Sequence, residues 1–140
     1  MKEILKNMLV LPDKKEVSII KSELKIVKSE LERAIKNQKI NAEIFIGGSY
    51  AKGTLVRKKE YDIDVFIRFD WKYENLSEEL EKVVKSVAKN LKEGYERLHG
   101  SRDYFKIRRG NIVFEIIPVT KINTTKEARN VTDLSYFHVN

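Results

Sequence analysis

"YDIDVFIRF", residues 61–69, decides the fold, because its strict alternation indicates a strand and not a helix. The odd-numbered positions are apolar or aromatic: Tyr61, Ile63, Val65, Ile67 and Phe69. The even-numbered positions are Asp62, Asp64, Phe66 and Arg68. Because side chains alternate across a strand, one face is predicted to lie on the core. The two aspartates are then expected to share the other face, or a groove.

The aspartate pair needs a physical reason, because Asp is disfavoured inside strands. Two like charges this close are costly unless something neutralises them. Paired carboxylates suit magnesium, which proteins usually hold by one or two carboxylates plus substrate phosphates. The alternative is a solvated strand face that carries Asp62 and Asp64 with no ligand.

Upstream, "IFIGGSYAKG" (44–53) predicts a short strand, a turn at Gly47 and Gly48, and then a short helix or turn from Ser49. Backbone N–H groups at such a turn, together with a serine hydroxyl, can hold phosphate oxygens. Lys52 would add a positive charge. The stretch lacks the spacing of the P-loop and of the dinucleotide-binding motif, so a tight turn alone remains the alternative.

Downstream, "IVFEIIP" (112–118) reads as a strand that is apolar except for Glu115. A lone buried glutamate is costly without a cation or a hydrogen-bonding partner. If this strand neighbours the aspartate strand, three carboxylates converge, and three carboxylates can hold two magnesium ions. Alternatively, Glu115 lies on an edge strand and faces water, or pairs with Lys106 or Arg108.

The remaining elements predict an α+β fold, with helices flanking a mixed or mostly antiparallel sheet. An amphipathic helix follows Pro12 and Asp13 and ends near Asn37. A second helix is predicted to be capped by Ser77, with Gly94 as its C′ residue. Two strands then join at Gly110 and Asn111, and Pro118 is predicted to end the second strand.

Composition is consistent with one domain of 140 residues, 41% hydrophobic and 35% charged. The chain has no cysteine and no apolar run that could span a membrane, and no secretory signal is recognised, so we expect a cytoplasmic protein. The net charge of +7 favours a polyanionic partner, although a lysine-rich solvated surface would give the same charge.

Gly48-Ser49, then Asp62-x-Asp64, then a later strand carboxylate resembles the pattern of the polymerase-β-like nucleotidyltransferases. More closely, "GGSYAKGTLVRKKEYDIDVFIRF" (47–69) resembles the catalytic head domain of the archaeal-type CCA-adding tRNA nucleotidyltransferases. "EIIP" (115–118) and "DLSYFH" (133–138) resemble later family motifs more loosely. The resemblance covers essentially the whole chain.

This resemblance implies metal-binding and catalytic roles for Asp62, Asp64 and Glu115. It implies that the nucleotide is held by six residues: Gly48, Ser49, Lys52, Arg102, Ser135 and His138. Three positions depart from the family pattern. Glu115 stands where Asp is usual, Lys52 where Arg is common, and Leu55 where Trp is usual.

The function implied is magnesium-dependent transfer of CMP or AMP from CTP or ATP to an RNA 3′ hydroxyl, with CCA addition to tRNA as the leading expectation. Two magnesium ions are expected. The chain ends at Asn140, without the central and tail domains of the family, so a second polypeptide is one expectation. The alternatives are a minimal transferase with a protein or small-molecule acceptor, and a non-catalytic module that binds nucleotide or RNA.

Overall fold

The computed structural model describes residues 14–47, 60–123 and 125–134. Within these ranges, five strands form one sheet in the order β1-β2-β5-β4-β3. Their bounds are β1 Ala42–Gly47, β2 Tyr61–Phe69, β3 Glu96–Leu98, β4 Tyr104–Arg109 and β5 Ile112–Thr120. β2 and β5 run parallel, whereas the other three pairs are antiparallel. The predicted α+β fold with a mixed sheet is therefore confirmed.

Two helices, α1 (Lys14–Asn37) and α2 (Leu76–Leu91), cover one face of this sheet. The odd-numbered residues of β2 lie against them and are at most 1% exposed. The apolar stripe of α1 supplies the facing side chains, namely Ile20, Leu24, Val27, Leu31 and Ile35. The alternation predicted from residues 61–69 therefore places the core correctly, and the aspartates lie on the other face.

The predicted ends of α2 need correction. The helix begins at Leu76, with Asn75 at the N-cap position. Ser77 lies inside the first turn, where it is buried and its hydroxyl donates to the carbonyl oxygen of Asp103. At the other end Lys92, and not Gly94, adopts the left-handed conformation, with φ of 57°. The helix begins earlier than predicted because Leu76 is buried in the core, and it ends before Gly94.

The hairpin between β4 and β5 turns at Gly110 and Asn111, as predicted, with Gly110 at a φ of 60°. Pro118 does not end β5, which continues to Thr120 beside β2. The pairing of β5 with β4 ends at Ile116, so no strand requires an N–H group from Pro118 on that side.

The end of the described chain packs back onto the sheet. Two short 3-10 helices, Thr125–Glu127 and Val131–Leu134, follow β5, and the second contacts it. Neither α1 nor α2 is long and apolar enough to cross a membrane, and this holds for every helix in the described ranges.

Candidate active site on the open face of the sheet

The parallel pairing of β2 with β5 brings the predicted carboxylates together. Asp64 lies directly opposite Glu115 in the register, and Asp62 lies two residues earlier on β2. On the other side of β2, Asp64 is opposite Gly47, the last residue of β1. Since opposed residues of neighbouring strands point to the same face, the two carboxylates are adjacent. The two strands that carry the carboxylates, β2 and β5, are therefore neighbours in the sheet, as the sequence-based hypothesis required.

The electrostatics of this cluster favour a bound cation. The pKa of Asp64 is raised from 3.8 to about 6, chiefly because the group is partly buried. The hydrogen bond with Glu115 and the negative charges of Glu115 and Asp62 raise this pKa further. Two neighbouring carboxylates repel each other, so in the absence of a metal ion one of them more readily keeps its proton.

Lys106 is the cation that contacts this cluster. It lies opposite Glu115 in the antiparallel pairing of β4 with β5, and its Nζ is 3.6 Å from Oε1 of Glu115. Both side chains are about one-quarter exposed, at 25% and 26%. Arg108, the other partner considered from the sequence, instead pairs with Glu60. Glu115 therefore contacts both a carboxyl group and a lysine.

Three carboxylates on neighbouring strands are the hard oxygen donors that magnesium prefers. The raised pKa of Asp64 fits a site where a cation would replace the shared proton. In the described ranges, however, no three Asp, Glu, His or Cys side chains are already arranged as a metal site. The donor chemistry of Asp62, Asp64 and Glu115 fits magnesium, although their positions do not form a finished cage.

Gly47, the residue of β1 opposite Asp64, lies in close contact with an aromatic ring. A Cβ atom at this position would lie 2.3 Å from Cε2 of Phe66. The ring of Phe66 stacks on that of Phe45, with centroids 4.7 Å apart. Glycine is therefore required here by the aromatic ring beside the carboxylates, and β1 can end directly opposite Asp64.

Arg102, predicted to bind nucleotide, has a carboxylate partner within the chain. Its Nη1 lies 2.6 Å from Oδ1 of Asp133, and the Asp133 side chain is fully buried. Asp133 also accepts hydrogen bonds from the backbone N–H groups of Thr120, Arg129 and Asn130. This buried pair joins the segment 129–134 to the end of β5. A nucleotide-binding role for Arg102 stays a prediction.

The other predicted nucleotide-binding residues, namely Gly48, Ser49, Lys52, Ser135 and His138, lie outside the described ranges. So does the predicted short helix or turn after Ser49. In sequence, Gly48 and Ser49 directly follow Gly47, which pairs with Asp64. Ser135 directly follows the segment that Asp133 anchors.

From the sequence, Lys106 was considered only as an alternative partner of Glu115, and Asp133 was given no role. Lys106 alternates with two apolar residues on β4, Phe105 and Ile107, so it was recognisable as facing away from the core. The predicted two-residue turn at Gly110 and Asn111 places Lys106 opposite Glu115, and the structure has this pair. The role of Asp133 was not predictable, because Arg102 and the N–H group of Thr120 lie in distant segments.

The chain matches the family described as the Second Messenger Oligonucleotide or Dinucleotide Synthetase domain over residues 1–134. It is 43% identical over 99 residues to the CCA-adding enzyme of Nanoarchaeum equitans, covering 69% of this chain and 24% of that enzyme. It is 25% identical over 131 residues to the CCA-adding enzyme of Pyrococcus furiosus, covering 92% and 28%. The chain thus spans about a quarter of the length of these relatives.

Solved structures with a similar fold include CdnC from E. coli MS115-1, in a complex with HORMA-deltaN. The TM-score is 0.64 at 16% identity, covering 99% of this chain and 47% of that chain. A structure of the GLD-2/RNP-8 complex gives a TM-score of 0.62 at 12% identity, covering 84% and 37%. At these identities the similarity concerns the fold alone.

Proposed function

Because the chain belongs to the Second Messenger Oligonucleotide or Dinucleotide Synthetase domain family, which has the nucleotidyltransferase fold, we propose that it is the catalytic domain of a magnesium-dependent nucleotidyltransferase. The observation that carries the proposal is the placement of Asp64 opposite Glu115, with Asp62 two residues before it. The proposed reaction transfers CMP or AMP from CTP or ATP to an RNA 3′ hydroxyl. Two relatives, both CCA-adding enzymes, support tRNA as the acceptor. We further propose that the reaction takes place in the cytoplasm.

In this proposal Asp62, Asp64 and Glu115 hold magnesium. The bound metal would activate the attacking hydroxyl and neutralise the triphosphate. Lys106 balances the charge of Glu115 from the side of β4. Gly48, Ser49 and Lys52 face the triphosphate, while Arg102, Ser135 and His138 contribute to the nucleotide pocket. No side-chain nucleophile takes part, because positioning and charge neutralisation are sufficient for this chemistry.

Since the chain spans only about a quarter of the CCA-adding enzymes it matches, we propose that the tRNA is held in part by protein outside these 140 residues. Extension of tRNA by the 140-residue chain alone, at the rate of a complete enzyme, would argue against this part of the proposal.

The test is incubation of the chain with α-labelled CTP or ATP, magnesium and a tRNA that lacks its 3′ end. We expect magnesium-dependent extension of the tRNA, which Asp64→Asn abolishes. Asp70→Asn is the matched control, because Asp70 lies just beyond β2 and, within the described ranges, its carboxylate accepts a hydrogen bond from the backbone N–H of Lys72 alone. Retained turnover in Asp64→Asn would refute the catalytic assignment.

The family match favours a second candidate, in which the acceptor hydroxyl belongs to another nucleotide. The same incubation without tRNA distinguishes the two, because a messenger synthetase would form labelled oligonucleotides from ATP or CTP alone. A non-catalytic module would give neither product. Calorimetric titration with CTP and ATP, with and without magnesium, would show whether such a module still binds nucleotide.

A further inference from the structure

Two sets of charged residues lie on opposite flanks of α1. At 100° per residue, Lys14, Lys21, Lys25 and Lys28 fall within an arc of about 60°. Glu16, Glu23 and Glu30 fall within about 40° on the opposite side of the helix axis. We call the lysine side, Lys14 to Lys28, the basic flank; it extends about 21 Å along the axis.

The three glutamates on this opposite side have partners within the protein. Glu23 pairs with Arg109 of β4 at 2.8 Å, Glu30 accepts from Asn90 of α2, and Glu16 accepts from the hydroxyl of Tyr61. On the basic flank, only Lys28 has an ion-pair partner among the described residues, namely Glu32 at 4.0 Å. Lys14, Lys21 and Lys25 are exposed and have none in the described ranges. Among the described residues, the flank therefore carries more positive charge than its partners balance.

Hydroxyl groups lie beside these lysines. Lys14, Lys21, Ser18 and Ser22 line a concavity of about 460 Å³ on the helix surface, together with Val17. Lysine ammonium groups and serine hydroxyls are typical donors to the phosphate and sugar oxygens of nucleic acids.

Beyond the basic flank, the end of α1 lies beside the edge strand β1. Near the end of α1, residues Glu32, Ile35 and Lys36 share a groove with Ala42, Glu43 and Ile44 of β1. β1 itself ends at Gly47, opposite Asp64.

We propose that the basic flank of α1 binds the phosphate backbone of the acceptor RNA. This inference rests on the proposed function, since it gives the RNA acceptor a surface on this domain. Phosphate contacts of this kind fix position without reading sequence. Binding is therefore expected to depend steeply on salt and little on sequence.

The test compares two double variants with the same charge change. Lys21→Gln with Lys25→Gln removes two lysines of the basic flank. Lys85→Gln with Lys89→Gln is the control, because this pair has the same spacing on α2 and is also exposed. Binding of a fluorescein-labelled tRNA that lacks its 3′ end is measured by anisotropy across a salt series, with thermal unfolding to confirm that each variant folds.

We expect the basic-flank variant to bind RNA about tenfold more weakly, with a salt slope reduced by about 1.4 to 1.8. We expect the control to change less than twofold. Equal losses in both variants, or no loss in either, would overturn the proposal. Binding of the same variants to phosphatidylserine-containing vesicles is measured in parallel. Weaker vesicle binding with unchanged RNA binding in the basic-flank variant would also overturn the proposal. The two proposals can fail separately. If the basic-flank lysines prove necessary for RNA binding but the wild-type chain binds neither CTP nor ATP, the proposed function fails and the RNA-binding surface remains supported.

Discussion

At the scale of single residues, Asp64 carries a charge that its surroundings disfavour. Its pKa of about 6 in the folded chain exceeds the ordinary value of 3.8, so the folded state binds the proton more strongly than the unfolded state does. The stability linked to this proton is fully present below about pH 4 and is lost as pH rises through about 6. At pH 8, without metal, the ionised group therefore destabilises the fold.

We accordingly expect Asp64→Asn to raise the free energy of unfolding of the metal-free protein at pH 8. The gain is on the order of 1 kcal/mol, after allowing for solvent screening of a partly exposed group. Urea unfolding in EDTA at pH 8 and pH 5 measures it, and the gain should shrink at pH 5. A gain that is the same at both values would contradict the assignment. Magnesium should stabilise the wild type more than the variant.

Lys106 provides the second prediction at this scale. Lys106→Met leaves the Glu115 carboxylate beside Asp64 without its cation, and we expect a loss of about 1 kcal/mol in metal-free stability. Because a positive charge also leaves the proposed metal site, magnesium should raise the melting temperature of this variant more than that of the wild type. Lys106→Arg, which keeps the charge, is the control. An equal magnesium response in all three proteins would show that Lys106 does not influence the metal.

At the scale of elements, β1 is fixed against β2 by the contact between Gly47 and Phe66. A methyl group at Gly47 would overlap the ring of Phe66, which is buried and stacked on Phe45. We expect Gly47→Ala to cost about 2 kcal/mol, because overpacking forces the ring or the strand to move. Gly94→Ala is the matched control, since nothing lies within 4 Å of its added Cβ.

Thermal and urea unfolding of the two glycine variants measure this difference. If the strand moves instead of the ring, the end of β1 shifts relative to Asp64, and nucleotide binding should weaken together with stability. Equal stabilities for Gly47→Ala and Gly94→Ala would show that the Phe66 ring moves aside without cost.

At the scale of the whole molecule, the buried carboxylate of Asp133 ties the segment 129–134 to the sheet. It neutralises Arg102 and accepts three backbone N–H groups. Asp133→Asn removes the charge and leaves the largely buried guanidinium of Arg102 without its counter-ion. We expect a loss of about 3 kcal/mol, the usual size for a broken buried ion pair.

Hydrogen exchange distinguishes this anchoring role from a general loss of stability. The amides of Arg129 and Asn130 should lose protection more than those of α2 in Asp133→Asn. Asp70→Asn serves as control, because the Asp70 carboxylate accepts a hydrogen bond in an exposed turn. Uniform loss of protection across the chain would contradict a local anchor.

The strand at residues 61–69, the helix ending at Asn37 and the hairpin at Gly110 could be predicted because each has a local signal. Alternation, helical spacing and a two-residue turn reflect backbone geometry within one segment. The start of α2 and the continuation of β5 past Pro118 were missed because packing overrode local preference. Leu76 is buried in the core, and β4 does not pair with β5 beyond Ile116, so no N–H group of Pro118 is needed on the β4 side.

The sequence by itself determined which residues carry charge on an otherwise apolar strand, since Asp62, Asp64 and Glu115 are conspicuous in their segments. Only the tertiary structure decided that β5 lies beside β2 in parallel, with Asp64 facing Glu115. The physical reason is that strand order depends on how the whole sheet buries its apolar face. A contact such as that of Arg102 with Asp133 likewise forms between segments that no local pattern connects.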